Sequence, residues 1–170
     1  STLIRVLKKS ASKREATSAS RFIKTAKGQY GEGDSFLGIR MPVLRQLAKD
    51  NINLSLTETA KLFKNEFHEA RMAALLILVL KFRQEDEETR AQIVRLYLKY
   101  SFYVNGWDLV DCSAHLILGP WLMRRDKTIL FKLARSQSLW DRRIAIMSTF
   151  HFIRQQHFVP TLKIARLLLK

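Results

Sequence analysis

The chain has 170 residues, 47% of them hydrophobic and 26% charged, enough to bury a core in one folded unit without disulfide or metal staples. Thirty Lys and Arg against fifteen Asp and Glu give a formal charge of +15, which favours a polyanionic partner, nucleic acid before a membrane surface. The single cysteine excludes an internal disulfide and fits a reducing, cytoplasmic setting.

Six glycines and three prolines leave few breakers, and apolar residues recur at helical spacing almost from end to end. The opening STLIRVLKKSASKRE lacks the apolar stretch of a signal peptide. Residues 2–27 predict one or two basic helices ending at Gly28, and the segment GQYGEGDSFLG after them reads as a flexible connection. That segment lacks the lysine of a phosphate-cradling G-x-x-x-x-G-K loop. Pro42 opens a short helix through Leu44, Leu47 and Ala48, proline being welcome in a first turn. Ser55 and Glu58 have the spacing of a capping box before LFKN. A long helix is expected from about Glu66 to Phe82; its run MAALLILVL is half the length of a membrane span, so it reads as buried. The acidic EDEE at 85–88 suits the positive end of the next helix, which carries Ile93, Val94, Tyr97 and Leu98. Further helices fit 107–118, 127–135, 139–155 and 160–169. No segment alternates like a strand between hairpin turns, so the fold class is all-α.

A weak internal echo runs through the chain. HEARMAALLIL at 68–78 resembles WDRRIAIMSTF at 140–150, with Arg71 over Arg143 and Ala73 over Ala145, 72 residues apart. Half that interval lands on Trp107. A period near 36 is a little short of the roughly 40 to 47 residues of HEAT and armadillo repeats, whose helix pairs stack into a curved solenoid with a concave binding face.

The stretch NGWDLVDCSA at 105–114 sets acids inside a basic protein. On a helix Trp107 and Asp111 stand at i and i+4 and share a face. In the plainer reading Asn105 caps the helix, Asp108 complements its dipole and Trp107 packs between repeats. Asp111 lies past the first turn, where the dipole benefit has faded. In WDRR, Arg142 and Arg143 open a helix, where positive charge is disfavoured; a phosphate contact would explain them. Arg124, Arg125, Lys127, Lys132 and Arg135 thicken the same basic region. A solvated basic face is the alternative. Cys112 and His115 stand at i and i+3, but a lone cysteine in an apolar helix is usually just buried. His68, His151 and His157 have no metal-ligand spacing, and no metal or cofactor is expected.

FIKTAKGQYGEGDSFLGIRMPVLRQLAK at 22–49, GWDLVD at 106–111 and LWDRRIAI at 139–146, in that order, resemble the DNA alkylation repair family, the HEAT-like-repeat alkylpurine glycosylases of the AlkD type. The resemblance implies a curved α-solenoid of HEAT-like repeats over residues 1–170, a monomer that grips duplex DNA carrying alkylated bases. It implies hydrolysis of the N-glycosidic bond of N3- and N7-alkylated purines without base flipping. Carried over by position, Trp107 lies against the lesion nucleotide, Asp111 is the catalytic carboxylate, and Arg143 holds the backbone beside the lesion. Arg142, Phe22, Lys24, Arg124 and Arg125 complete the expected DNA contacts. Three positions depart from the pattern. Gly106 stands where active members can carry a second tryptophan, and Phe22 stands where some carry a tyrosine. The family's second catalytic tryptophan belongs on a helix beyond Lys170, and neither Trp121 nor Trp140 matches it, which leaves two expectations open: a chain truncated at its C-terminus, or a lesion cleft that is incomplete, with catalysis weak or absent. Two other functions compete: a non-catalytic DNA-binding relative, which needs the basic face but not Asp111, and a helical scaffold for an acidic protein.

Overall fold

Each amphipathic segment has one apolar stripe to hide, so helices must pack on helices. The computed structural model describes residues 2–169, and among these every regular element is helical; the sole extended pairing is one bridge between Ser35 and Phe67. The contacts divide the chain into two compact units, residues 1–84 and residues 85–170. Among the described residues no helix is long and apolar enough to cross a membrane.

The first unit holds α1 (Thr2–Lys9), α2 (Lys13–Ile23), α3 (Met41–Asp50), α4 (Leu56–Phe63) and α5 (His68–Gln84). The basic N-terminal region is two helices, and the second stops at Ile23 rather than Gly28. Lys24 adopts a left-handed φ of 58°, its N–H donates to the Arg21 carbonyl, and the Thr25 N–H donates to the Ser20 carbonyl. That closure satisfies the last carbonyls of α2 and ends it early. Pro42 sits in the first turn of α3 as expected. Half of the predicted capping box forms, the Ser55 hydroxyl accepting the Glu58 N–H at 3.1 Å, while the Glu58 carboxylate turns to Lys61 at 2.5 Å. The core is α5, buried at every position from His68 to Leu75, with α1, α3 and α4 packed on it. It begins two residues later than the sequence suggests, because Asn65 Oδ1 accepts the Phe67 N–H and the Ser35 carbonyl accepts the His68 N–H.

The glycine-bearing connection is a correction to expectation: its second half is pinned. The buried Glu69 carboxylate accepts the N–H groups of Leu37, Gly38 and Ile39 at 2.9, 2.7 and 3.2 Å. Gly38 has a φ of 77°, and a Cβ there would strike the backbone of Ser12 and Ala16. Glycine is therefore required both by conformation and by the close approach to α2.

The second unit holds α6 (Glu87–Lys99), a 3-10 turn (Ser101–Tyr103), α7 (Trp107–Asp111), α8 (Ala114–Leu122), α9 (Thr128–Ala134), α10 (Leu139–Ser148), α11 (Phe150–Arg154) and α12 (Val159–Leu168). Asp86 caps α6 by accepting the Thr89 N–H at 2.8 Å, and Glu87 and Glu88 fill its first turn, as the acidic stretch implies. The hub is α10, which packs on α7, α8, α9, α11 and α12. Two expected helices are each divided. The segment 107–118 breaks at Cys112–Ser113, and 139–155 breaks at Thr149. The hydroxyls near those breaks bond to their own helix: Ser113 Oγ to the Leu109 carbonyl at 2.6 Å, Ser148 Oγ to Ile144 at 2.7 Å, and Thr149 Oγ1 to Ile146 at 2.7 Å. Such back-bonding competes with the backbone ladder and bends helices.

A candidate functional site around Asp111 and Arg143

Trp107 is the first residue of α7 and Asp111 the last, one turn apart on a five-residue helix. The cap is not Asn105, as the plain reading had it. Gly106 occupies the cap in extended backbone with no side-chain cap bond, and Asn105 Oδ1 is buried without a hydrogen-bond partner. Asn105 thus stands one residue too early to reach the exposed N–H groups of the first turn.

What fixes the end of α7 is a buried pair of hydroxyls. Ser113 Oγ lies 3.1 Å from the Tyr97 hydroxyl, and both residues are fully buried. Ser113 spends its one proton on the Leu109 carbonyl, so the Tyr97 hydroxyl donates. Burial pushes the Tyr97 hydroxyl well above its usual range, which keeps it a neutral donor. This tie from α6 sets where the chain leaves α7, and hence where Asp111 stands.

Arg143, in the second turn of α10, meets Asp111 with a two-pronged grip. Its Nε donates to Asp111 Oδ1 at 2.8 Å and its Nη2 to Oδ2 at 2.6 Å. Such fork-to-fork pairs fix orientation as well as charge. The hydrogen bond to Asp111 raises the Arg143 pKa further above its already high value. The pair remains open to solvent, the side chains being 39% and 29% exposed. The sequence-level puzzle of bases at a helix start also resolves here. Ser138 caps α10, Asp141 lies in its first turn, and Arg143 is neutralised by Asp111. Arg142 folds back so that its Nη1 donates to the carbonyls of Ser136 and Gln137 at 2.8 and 2.9 Å.

The other predicted contacts fall elsewhere. Arg125 stacks on the Trp121 ring at 3.8 Å, donates to the Trp121 carbonyl and pairs with Glu87, so its guanidinium is already engaged within the unit. Arg124 is exposed beside it. Phe22 and Lys24 lie at the end of α2 in the first unit, both exposed, Phe22 at 69%. The structure therefore brings Asp111, Trp107 and Arg143 together on two packed helices of one unit. Cys112 is half-buried with its thiol on the Leu109 carbonyl at 3.3 Å. His115 has its Nδ1 buried without a hydrogen-bond partner, and burial with the nearby Arg154 lowers its pKa. The Tyr97–Ser113 tie and the pinning of the 34–39 loop had no legible signal, since a hydroxyl on an apolar helix face looks like filler. Phe102 and Tyr103 had one: adjacent aromatics in a polar turn just before NGWD.

A comparison with curated protein sequences finds no match. The family model for DNA alkylation repair enzymes matches residues 3–170, nearly the whole chain and both units. The chain belongs to the DNA alkylation repair enzyme family.

Proposed function

We propose that the protein is a DNA glycosylase that hydrolyses the N-glycosidic bond of N3- or N7-alkylated purines in duplex DNA without flipping the base. Its helices would stack as HEAT-like repeats around the duplex. One observation carries the reading: in a chain of charge +15, an aspartate is held outward by a bidentate arginine on a solvent-open face. A basic face recruits DNA whatever its chemistry; an oriented carboxylate on it answers a different need.

The alkylated purine is already a cation, so it departs without a general acid. As the bond from C1′ to the ring nitrogen breaks, its electron pair neutralises the purine, and positive charge develops on the deoxyribose. Asp111 stabilises that charge and orients a water. The water oxygen bonds to C1′, its proton passes to Asp111 or solvent, and the products are free base and an abasic sugar. The indole of Trp107 presents an electron-rich face to the same cation. Arg143 plays two parts. Before DNA binds, it keeps Asp111 aimed through the two-pronged hydrogen bond; afterwards a phosphate competes for its guanidinium, and the carboxylate is freed to face the sugar. Arg124, exposed in the same unit, extends the DNA contact there, and Lys24 and Phe22, exposed on the first unit, are DNA contacts of that unit, whereas Arg142 and Arg125 contribute mainly through the field of their charge.

The engagement of both Asp111 oxygens also favours a second reading, a DNA-binding relative in which the carboxylate only organises Arg143. Base release from duplex DNA carrying N7-methylguanine separates the two. The glycosylase reading expects release by the wild-type chain and none above background with Asp111→Asn, while that variant still binds DNA. Equal release by both proteins would remove Asp111 from the mechanism.

A further inference from the structure

Among the large hydrophobic side chains, Phe102 is one of the most exposed, at 84%. It stands on the 3-10 turn between α6 and α7, and the turn is firmly built. The Tyr103 N–H donates to the Tyr100 carbonyl and the Val104 N–H to the Ser101 carbonyl, both at 2.9 Å, and Val104 is fully buried. Tyr103 meets the Phe102 ring edge-on, with centroids 5.5 Å apart and planes at 86°. Tyr100 lies 6.1 Å from Tyr103, and Lys99 Nζ lies 5.9 Å from the Tyr100 ring. The turn packs against α10, the helix of Arg143, and leads through Gly106 into Trp107. An apolar ring is thus held out to solvent on a hydrogen-bonded turn that packs on the helix of Arg143 and leads into the helix of Asp111.

The surroundings point to an occupant. Arg95 and Lys99, both exposed, stand at i and i+4 on one face of α6, leading up to the aromatic turn. A flat apolar ring beside a short row of cations complements a nucleobase beside its phosphates, the combination by which aromatic platforms hold unstacked bases. An intact duplex hides its base faces. They become available where the stack is interrupted, as beside a missing base.

We propose that Phe102 is a stacking contact for a base flanking the reaction site, and that it favours duplexes in which a neighbouring base has been lost. This rests on the DNA reading above and adds to it a hold on the product. The test uses the full chain and two duplexes, one intact and one with a single abasic site, each with 2-aminopurine next to the central position. Phe102→Ala is expected to weaken binding to the abasic duplex by about 5- to 150-fold, the range that loss of one base–aromatic stack produces. It should weaken binding to the intact duplex by less than about threefold and abolish the fluorescence change of 2-aminopurine beside the gap. Phe102→Tyr should restore both. Equal binding and equal fluorescence for wild type and Phe102→Ala would overturn the inference. So would an equal loss on both duplexes, which would make the ring a groove contact. A wild-type chain that binds neither duplex would overturn the DNA reading and this inference with it. An unchanged thermal melt for Phe102→Ala would confirm that the contrast is not one of folding.

Discussion

Each unit of this protein contains an aspartate gripped by an arginine from the start of its hub helix, and the two pairs could hardly be placed more differently. In the first unit Asp34 meets both Arg71 and the His68 Nδ1, the latter at 2.7 Å, and the Asp34 and Arg71 side chains are only 4% and 6% exposed. Arg71 also donates to the carbonyls of Asn65 and Glu66 at 3.0 and 3.3 Å. In the second unit Asp111 and Arg143 keep about a third of their side chains in water. The arginines are the two that the internal echo aligns, 72 residues apart. The same chemistry serves as a knot in one place and as a presented surface in the other. Burial is what separates them. A charge removed from water must be matched or its partner is stranded, whereas an exposed pair gains little from its own Coulomb energy.

The largest expected effect tests that contrast directly. Arg71→Ala leaves the buried Asp34 carboxylate with His68 as its remaining side-chain partner and should cost about 3 to 5 kcal/mol in urea denaturation. Arg143→Ala, at the aligned position, should cost less than about 1 kcal/mol. Similar losses for the two variants would erase the distinction.

Acid should sharpen it further. Burial pushes the Asp34 carboxyl up, but His68 and Arg71 outweigh that and hold it below the usual carboxylate range. A carboxyl that titrates lower folded than unfolded contributes its full stability above the unfolded value, near pH 3.9, and loses it as pH falls through the folded value. Asp34→Asn should therefore destabilise by about 1.5 to 3 kcal/mol at pH 7, and the gap to wild type should narrow below about pH 4. A gap that held constant down to pH 2 would contradict the assignment.

Tyr97→Phe should cost about 1 to 2 kcal/mol, since it leaves the buried Ser113 oxygen one bond short. If the Tyr97–Ser113 tie places Asp111, base release should fall more than DNA affinity does. The smallest effect concerns Arg143 and phosphate: Arg143→Ala should reduce the slope of log affinity against log salt by about 1. An unchanged slope would mean that Arg143 serves Asp111 alone.

How much of this was legible beforehand follows from where each interaction originates. The existence of the helices, the Pro42 and Ser55 starts and the acidic entry to α6 are local, and the residues that make them lie within a turn of one another. Trp107 and Asp111 were legible for the same reason, being i and i+4. The breaks at Ser113 and Thr149 were not, because a hydroxyl in an apolar run reveals its hydrogen bond only once its rotamer is known. Asp34 was hidden inside what read as a flexible connection, its partners 34 and 37 residues downstream. Likewise the grip on Asp111 spans 32 residues, so the sequence offered the carboxylate and the arginine but not their embrace. Arg142 and Arg125, read from charge alone as DNA contacts, turn back to carbonyls and an aromatic ring, which pattern could not foretell.

The most direct measurement compares single-turnover release of N7-methylguanine from duplex DNA by wild type, Asp111→Asn and Asp34→Asn, at a temperature where all three are folded. The presented pair should carry the chemistry. Asp111→Asn should lose about 10²- to 10³-fold or more in rate while melting like the wild type, and Asp34→Asn should melt earlier yet release base at close to the wild-type rate. The reverse pattern, with Asp111→Asn active and Asp34→Asn inactive while folded, would contradict the account.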